Sequence, residues 1–141
     1  MKILLTSDGS DCSKRAARYL AGHLSALAKQ PELFVLNVHP ALPYPGAAAA
    51  IGKTALERYY REECEAALAV VQKPLEKAGI PFRSSWSVGP AVEQIGAFVK
   101  KNRIDLIVMG SHGRGAIASL ALGSTTAKVI AALKTPVLVV P

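Results

Sequence analysis

The sequence predicts a single α/β domain over residues 1–141, in which a parallel five-stranded sheet has helices on both faces. Three observations lead to this doubly wound fold class. The chain has 141 residues, a length that suits one domain. Four of its five short apolar runs are nearly continuous in Leu, Ile and Val, which is typical of strands buried on both faces. Helical patterns separate the runs, and strict alternation of strand and helix favours a parallel sheet with right-handed crossovers.

The strands are expected at the five apolar runs. The third run, FRSSWSV, alternates between two faces and therefore predicts a half-exposed edge strand. The other four predict buried strands. The expected bounds are Ile3–Thr6, Leu33–Val38, Phe82–Val88, Leu106–Met109 and Val137–Val140.

Four segments repeat apolar side chains at three- and four-residue steps, which predicts helices. Ser10 or Asp11 suits the N-cap of the first helix, and Gly79 suits the end of the second. Pro74 predicts a kink or an early stop in the second helix, and Pro90 suits the first turn of the third. The expected helices are Ser10–Ala28, Thr54–Ala78, Pro90–Asn102 and Thr125–Leu133.

The stretch Leu42–Gly52, LPYPGAAAAIG, interrupts this alternation and is expected to be a loop. Loops of this length in compact domains are often lids or binding loops. A plain variable connection is the alternative, and the sequence leaves both open.

The charge balance suits a protein that binds a polyanionic small molecule. The chain has 17 Lys and Arg against 10 Asp and Glu, a formal net charge of +7. The basic residues are dispersed over the polar faces of the expected helices and interleave with glutamates. Aromatic residues do not alternate with them as in a stacking platform, so a nucleic-acid groove is not expected.

Other sequence features favour a cytoplasmic protein. Cys12 and Cys64 have no metal-binding or redox spacing and are expected to be reduced thiols. The first residues resemble no signal peptide, and no apolar run approaches the roughly 18–20 residues that span a bilayer.

Candidate site residues follow the first two strands. In a doubly wound sheet, ligands bind beyond the carboxyl ends of the strands, where the strand order reverses. Asp8 is well placed there to accept hydrogen bonds from ribose hydroxyls, with a turn or helix-cap role as the alternative. The backbone of Val38 suits an adenine edge, although it is equally a plain strand end. His39 is expected at the rim of the crevice.

A glycine-rich stretch follows the fourth strand. Gly110, Gly113 and Gly115 allow backbone N–H groups to approach an anion without an intervening Cβ. Arg114 adds a planar cation that suits phosphate oxygens. The spacing of these glycines is neither that of a Walker A loop nor that of the dinucleotide fingerprint.

A second group of donors follows at the start of the last helix. Its free N–H groups and positive dipole end form an anion site after Gly123. The hydroxyls of Ser124 and Thr125 are further donors, and one of them is expected to cap the helix. The apolar interval 116–122 is expected to pack and to set the distance between the two groups. A polyphosphate cradle is thus predicted, with a flexible strand-to-helix connection as the alternative.

These residues resemble a known family. Gly110, two residues, Gly113, nine residues, Gly123 and Ser124 match the G-x2-G-x9-G-S/T signature of the universal stress protein family. The segments KILLTSDGS, LFVLNVHP, DLIVMGSHGRG and LGSTTAKVIAALKTPVLVV are similar to family segments along the whole chain. The resemblance implies an adenine-nucleotide-hydrolase-like fold with strand order 3-2-1-4-5, and it indicates the branch that binds ATP.

The resemblance also implies a set of site residues. Asp8 would hold ribose, the backbone of Val38 would hold adenine, and Met109 would line the pocket. Gly110, Gly113, Gly123, Ser124 and Thr125 would hold the phosphates. Apart from the resemblance, the coordination chemistry of Mg²⁺ suits its arrival on the nucleotide, with a contact through Ser124 and water. The full set of candidates is Thr6, Asp8, Val38, Met109, Gly110, Gly113, Arg114, Gly115, Gly123, Ser124 and Thr125. ADP and AMP suit the same site, and a homodimer through Val137–Val140 is implied.

Three functions fit these residues. The first is an ATP-binding regulatory module of the stress response with little or no turnover, because Asp8 is the acidic residue expected near the phosphates and no catalytic set accompanies it. The second is a slow ATPase in which ATP orders Leu42–Gly52. The third is a dimeric interaction protein with a vestigial adenylate pocket. The protein partner and the inducing stress are not predicted.

Overall fold

The computed structural model describes residues 1–115 and 122–141, which form five strands and five helices. The prediction that the interval 116–122 packs between the two donor groups lies, for residues 116–121, outside the described residues. In chain order the elements are β1 (Lys2–Ser7), α1 (Asp11–Leu27), β2 (Glu32–His39), α2 (Pro45–Ile51), α3 (Lys53–Lys77), β3 (Phe82–Val88), α4 (Ala91–Asn102), β4 (Leu106–Gly110), α5 (Ser124–Ala132) and β5 (Val137–Val140).

The five strands form one parallel sheet in the order β3-β2-β1-β4-β5. This order confirms the predicted fold class and the strand order that the family resemblance implied. All five strands lie where the apolar runs predicted them, and three of them extend by one or two residues. β1 is central, and its ladder with β2 ends at the pair Ser7 and Asn37.

The core consists of two mainly aliphatic clusters, one on each face of the sheet. Leu5 and Val35 belong to a cluster with the apolar faces of α1 and α3. Leu4 and Ile107 belong to the other cluster, with α4 and α5. Burial of each such side chain stabilises the fold by roughly 1.5–3 kcal/mol. Because α1 and α5 follow adjacent strands but cover opposite faces, a crevice opens between the carboxyl ends of β1 and β4.

The ends of α1 and α3 have the caps expected from the sequence. The Ser10 hydroxyl accepts a hydrogen bond from the Ser13 N–H at 3.2 Å, which caps α1. Gly79 follows α3 with a φ of +68°, and the Ile80 N–H donates to the Leu75 carbonyl at 3.0 Å. Together with the bond from the Gly79 N–H to the Glu76 carbonyl at 2.9 Å, this bond forms a Schellman motif, a helix end that needs a left-handed residue.

Two proline predictions need correction. α3 continues past Pro74 to Lys77, so of the two outcomes expected there, a kink or an early stop, the early stop is wrong. A proline this close to a helix end removes one N–H donor, and the remaining turn is held by the Schellman motif. Pro90 is the N-cap residue of α4, one position before the first helical turn.

The prediction of a loop over Leu42–Gly52 is wrong for most of that stretch, because Pro45–Ile51 form α2. Four alanines have the highest helix propensity, and a proline at the first position is preorganised for a helix. Each residue of α2 is exposed or half-buried, and Tyr44 before it is 72% exposed. Within the described residues, no helix has both the length and the apolar character needed to cross a membrane.

Candidate functional site

A cavity of about 740 Å³ lies at the carboxyl ends of the strands. Every candidate residue predicted from the sequence lines it. These residues are Thr6, Asp8, Val38, Met109, Gly110, Gly113, Arg114, Gly115, Gly123, Ser124 and Thr125. The fold thus brings together, in one cavity, segments that are more than a hundred residues apart in the chain.

Asp8 joins the two turns that border the cavity. Its Oδ1 accepts hydrogen bonds from the Ser10 N–H at 2.9 Å and the Ser13 hydroxyl at 2.8 Å. Its Oδ2 accepts the Arg114 N–H at 3.1 Å. Burial alone raises the pKa of this carboxyl, but the hydrogen bonds from Ser10, Ser13 and Arg114 favour the ionised form and together hold its pKa below the ordinary value of 3.8. The carboxylate is therefore an anchored anion.

The glycine-rich turn after β4 closes against this carboxylate. A Cβ atom on Gly113 would lie 2.5 Å from Asp8 Oδ2, so a glycine is needed there. The Arg114 guanidinium lies against Gly9, where an added Cβ would overlap its Nη2. The Ser10 hydroxyl adds a 3.4 Å hydrogen bond to the His112 carbonyl. Backbone contacts therefore fix the turn against the start of α1.

Gly110 has a packing role that the sequence did not predict. The sequence suggested that it leaves room for an anion, but an added Cβ would lie 2.7 Å from Cys12 Cβ and 2.8 Å from the Cys12 carbonyl carbon. The missing side chain therefore allows β4 to pack against the first turn of α1. This close packing brings the glycine-rich turn next to Asp8.

The N-terminus of α5 meets the same turn. Gly123 is the N-cap residue, and its N–H donates to the Ser111 carbonyl at 2.7 Å. No side chain of the described residues caps α5, so the prediction that Ser124 or Thr125 would do so is wrong. Thr126 instead donates its hydroxyl to the Gly110 carbonyl at 3.0 Å. The first N–H groups of α5 thus border the cavity without a side-chain acceptor, which is the arrangement that binds anions.

The other end of the cavity is apolar. Leu36, Met109 and Ile95 are buried members of the α4–α5 cluster, and they line the cavity together with Val38. Val38 lies one residue beyond the last β1–β2 pair, although it still pairs with β3. The backbone of Val38 on the β1 side therefore lies at the open end of the ladder.

Three features of the cavity wall were missed by sequence reasoning. Glu63 of α3 adds a second acidic residue to the lining, where the sequence pointed to Asp8 alone. Asn37 of β2 also lines the cavity, and so does the turn that leads into α4. Glu63 and the turn into α4 belong to no motif, and Asn37 was given no role although it lies in the segment LFVLNVHP. The polar Asn37 inside an otherwise apolar strand was a signal that could have been noticed.

His39 lies at the rim of the cavity, as expected from the sequence. Its ring makes edge contacts with Tyr59 and Tyr60 of α3, at centroid distances of 5.8 and 5.3 Å. Its Nδ1 lies 2.7 Å from the Pro40 carbonyl, which can only accept, so Nδ1 bears the proton. Among the described residues, no group of three or more His, Cys, Asp or Glu side chains could hold a metal ion.

A model of the universal stress protein family matches residues 1–141. The chain belongs to this family. A universal stress protein of Methanocaldococcus jannaschii, MJ0531, is 33% identical over 141 residues, which cover 99% of this chain and 81% of the relative. One from Thermus aquaticus is 34% identical over 139 residues, which cover 98% and 96% of the two chains.

Solved structures of family members share the fold. That of MJ0577, also from Methanocaldococcus jannaschii, is 29% identical with a TM-score of 0.76, and covers 99% of this chain and 94% of its own. A universal stress protein from Archaeoglobus fulgidus in complex with dAMP has a TM-score of 0.65 at 22% identity, with coverage of 100% and 98%. One in complex with cAMP has a TM-score of 0.64 at 24% identity, with coverage of 100% and 96%.

Proposed function

We propose that this universal stress protein binds an adenine nucleotide, with ATP as the expected ligand, and acts as a cytoplasmic regulatory module of the stress response. One observation supports this best. Two anion-binding segments, the turn after β4 and the N-terminus of α5, meet in one cavity through the Gly123–Ser111 hydrogen bond. A glycine-rich turn beside a helix N-terminus, whose first N–H groups have no intrahelical partner, suits a polyphosphate.

The two ends of the cavity suggest how the nucleotide is oriented. We assign adenine to the apolar end beside Val38 and Met109, since a base is largely apolar and its edge can pair with backbone groups. We assign the phosphates to the glycine-rich turn and to the N-terminus of α5. Asp8 lies between these ends and is assigned to the ribose. The family members solved with dAMP and cAMP support the ligand class, and ADP and AMP suit the same site.

Mg²⁺ is proposed to arrive with the nucleotide. It prefers oxygen ligands, keeps several waters and is usually held by few protein groups together with phosphates. The Ser124 hydroxyl at the start of α5 is the group we assign to it, because Ser124 lines the cavity at the phosphate end.

We propose that turnover is slow or absent. Phosphoryl transfer to water needs a group that orients or deprotonates the attacking water. Asp8 is a poor base for that purpose because hydrogen bonds hold its pKa low and occupy most of its acceptor positions. Glu63 of α3 is the other acidic residue that lines the cavity among the residues that the structure describes.

Calorimetric titration with MgATP, MgADP, AMP and adenosine tests the binding proposal. We expect each added phosphate to tighten binding, because each reaches more donors of the two anion-binding segments. A matched pair of variants locates the site: Gly123→Val should weaken MgATP binding, because a Cβ at Gly123 would lie 3.2 Å from the Ser111 carbonyl oxygen, whereas Gly46→Val in α2 should not. No heat with any of the four ligands would refute the proposal.

A single-turnover assay tests the proposal that ATP turnover is slow or absent. Radiolabelled ATP is mixed with excess protein, and the released phosphate is followed for hours. Intact ATP at the end agrees with a binding module. Release within minutes would instead favour the slow-ATPase alternative.

We also propose a homodimer that pairs through β5. The strand lies at one edge of the sheet and consists of four apolar residues, Val137–Val140. An apolar edge strand offers unpaired backbone groups to a second chain.

A further inference from the structure

Ser7 is the last residue of β1, directly before Asp8, and is 4% exposed. Its hydroxyl donates a hydrogen bond to the Ala67 carbonyl of α3 at 2.7 Å and accepts one from the Gly9 N–H at 3.2 Å. A hydroxyl has a single hydrogen, and the Ala67 carbonyl takes it, so the Ser7 side chain has no donor left for a ligand. Ser7 therefore suits an indirect role, through the segments that it holds.

The bond to Ala67 ties α3 to the sheet at the cavity. Among the described residues it is the only hydrogen bond between α3 and a strand. The other buried side chains of α3 are aliphatic, apart from the Cys64 thiol. Apolar packing has no preferred direction, whereas a hydrogen bond requires one alignment of its two groups. Since Ala67 and Glu63, one helical turn earlier, both line the cavity, the Ser7 hydroxyl fixes this wall relative to β1.

The bond from Gly9 closes the turn that carries Asp8. A serine hydroxyl that accepts the N–H two residues further on forms a compact local turn, and Gly9 completes it with a φ of +79°. The turn lies directly against α3, because an added Cβ on Gly9 would be 3.2 Å from the Ala67 Cα. The hydrogen bonds described above orient the carboxylate group of Asp8, whereas Ser7 holds the backbone that carries it.

We propose that Ser7 is a positioning residue for the nucleotide, whose hydroxyl holds the Asp8 carboxylate where it meets the ribose hydroxyls. The proposal rests on the proposed function, because it takes the assignment of Asp8 to the ribose from there. Removal of the Ser7 hydroxyl frees the turn from α3, so the hydrogen bonds between Asp8 and the ribose lose their alignment. Contacts to the adenine and to the phosphates come from other segments and stay.

Two nucleotides that differ only in the ribose hydroxyls test this role. Calorimetric titration compares the magnesium complexes of ATP and 2′,3′-dideoxy-ATP, and wild type should bind ATP more tightly. Ser7→Ala should weaken ATP binding about 5- to 10-fold, the loss of one net hydrogen bond, and should leave the affinity for dideoxy-ATP unchanged. An equal loss for both nucleotides, or no loss for ATP, would overturn the proposal.

Two further variants separate positioning from a loss of stability. Ser7→Thr keeps the hydroxyl and should restore the preference for ATP, so a folded Ser7→Thr that behaves like Ser7→Ala would contradict the proposal. Val71→Ala is the control, because it removes packing from α3 at a fully buried residue outside the cavity lining. It should lower stability to urea but keep the preference for ATP. If Val71→Ala reduces that preference as much as Ser7→Ala does, the effect is general destabilisation and the proposal fails.

Hydrogen exchange of the wild-type protein decides the case in which Ser7→Ala does not fold. With each nucleotide at saturation, ATP should slow exchange of the Gly9 amide more than dideoxy-ATP does, because bonds from Asp8 to the ribose brace the turn that the Gly9–Ser7 bond closes. Equal exchange in the two complexes would overturn the proposal.

The titrations also separate the failure of this proposal from that of the proposed function. Equal affinity of wild type for ATP and dideoxy-ATP would refute the role of Asp8 toward the ribose, and with it that of Ser7, while nucleotide binding stands. Failure of ATP itself to bind would refute the proposed function.

Discussion

Gly110 shows how a residue that matches a binding motif is required by packing. An added Cβ would lie within 3.0 Å of three atoms of Cys12 and Ser13, at the start of α1. We expect Gly110→Ala to lower the free energy of unfolding by about 1–3 kcal/mol, as is usual for overpacking. Urea denaturation measures this change.

Gly22 provides the matched control. It lies inside α1, and an added Cβ would meet no heavy atom of the described residues within 4 Å. Gly22→Ala should raise the free energy of unfolding by about 0.5–1 kcal/mol, because alanine is the better helix former. Equal effects of the two substitutions would contradict the packing role of Gly110.

Asp8 should make stability depend on pH in the acid range. Its folded-state pKa lies below the ordinary value of 3.8, so the ionised carboxylate stabilises the folded state at neutral pH. This contribution is fully present above pH 3.8 and is lost as pH falls below 3.8 through the folded-state pKa. Asp8→Asn should therefore be less stable than wild type at pH 7, with the difference narrowing below pH 3.8.

Thermal unfolding, measured at a series of pH values from 7 to 2, gives the difference in stability between wild type and Asp8→Asn. Asp11→Asn is the control, because it removes an exposed charge from the same end of α1. A gap between wild type and Asp8→Asn that stays constant down to pH 2 would show that the hydrogen bonds to Asp8 do not favour its ionised form.

The residues of the cavity differed in how well the sequence predicted them. The glycines, Ser124 and Asp8 belong to contiguous stretches next to strand ends, so their placement follows once the strands are located. Asn37 and Glu63 depend on pairing between β1 and β2 and on how α3 lies over the sheet. These are long-range facts that a local pattern does not contain.

At the level of elements, the strands were predicted better than the helix boundaries. An apolar run indicates a buried parallel strand because helices cover both faces of such a sheet. All five predicted runs are strands in the structure. α2 was missed because it has no buried stripe and thus no apolar period to recognise. The helix propensity of alanine and Pro45 at the first helical position favour α2. The nearby Pro and Gly residues are typical of loops, and they therefore predicted a loop over the same stretch.

The end of α3 gives a prediction about a single helix. Gly79 has a φ of +68° in the Schellman motif, and an added Cβ would meet nothing within 4 Å among the described residues. Gly79→Ala should therefore lower the free energy of unfolding by about 1 kcal/mol, a purely conformational penalty. Gly46→Ala in α2, where φ is not positive, should have no such penalty. Chemical denaturation of both variants checks this, and a neutral Gly79→Ala would contradict it.

For the whole molecule, the two edges of the sheet differ in a way that bears on assembly. β3 at one edge contains Arg83 and three serines, which discourage pairing with another chain. β5 at the other edge contains only valine and leucine. The apolar edge is therefore where we expect a second copy to pair.

The hydrogen bonds of β5 allow this pairing to be disrupted selectively. The carbonyl of Pro136, just before β5, accepts from the Ile107 N–H of β4 at 2.9 Å, and the Val140 carbonyl accepts from the N–H of Ser111, just after β4, at 2.8 Å. Backbone groups of successive residues point to opposite sides of a strand, so those of Val139 point away from β4, toward the free edge. Val139→Pro removes an outward N–H donor while keeping the β4–β5 ladder, since edge strands tolerate proline at such positions.

We expect wild type to have the mass of a dimer by light scattering, about twice the 14.8 kDa of the chain. Val139→Pro should have the mass of one chain and keep its far-UV circular dichroism. Val139→Thr retains the N–H and should remain a dimer. A monomeric wild type would refute pairing through β5, and a dimeric Val139→Pro would place the dimer contact on another surface.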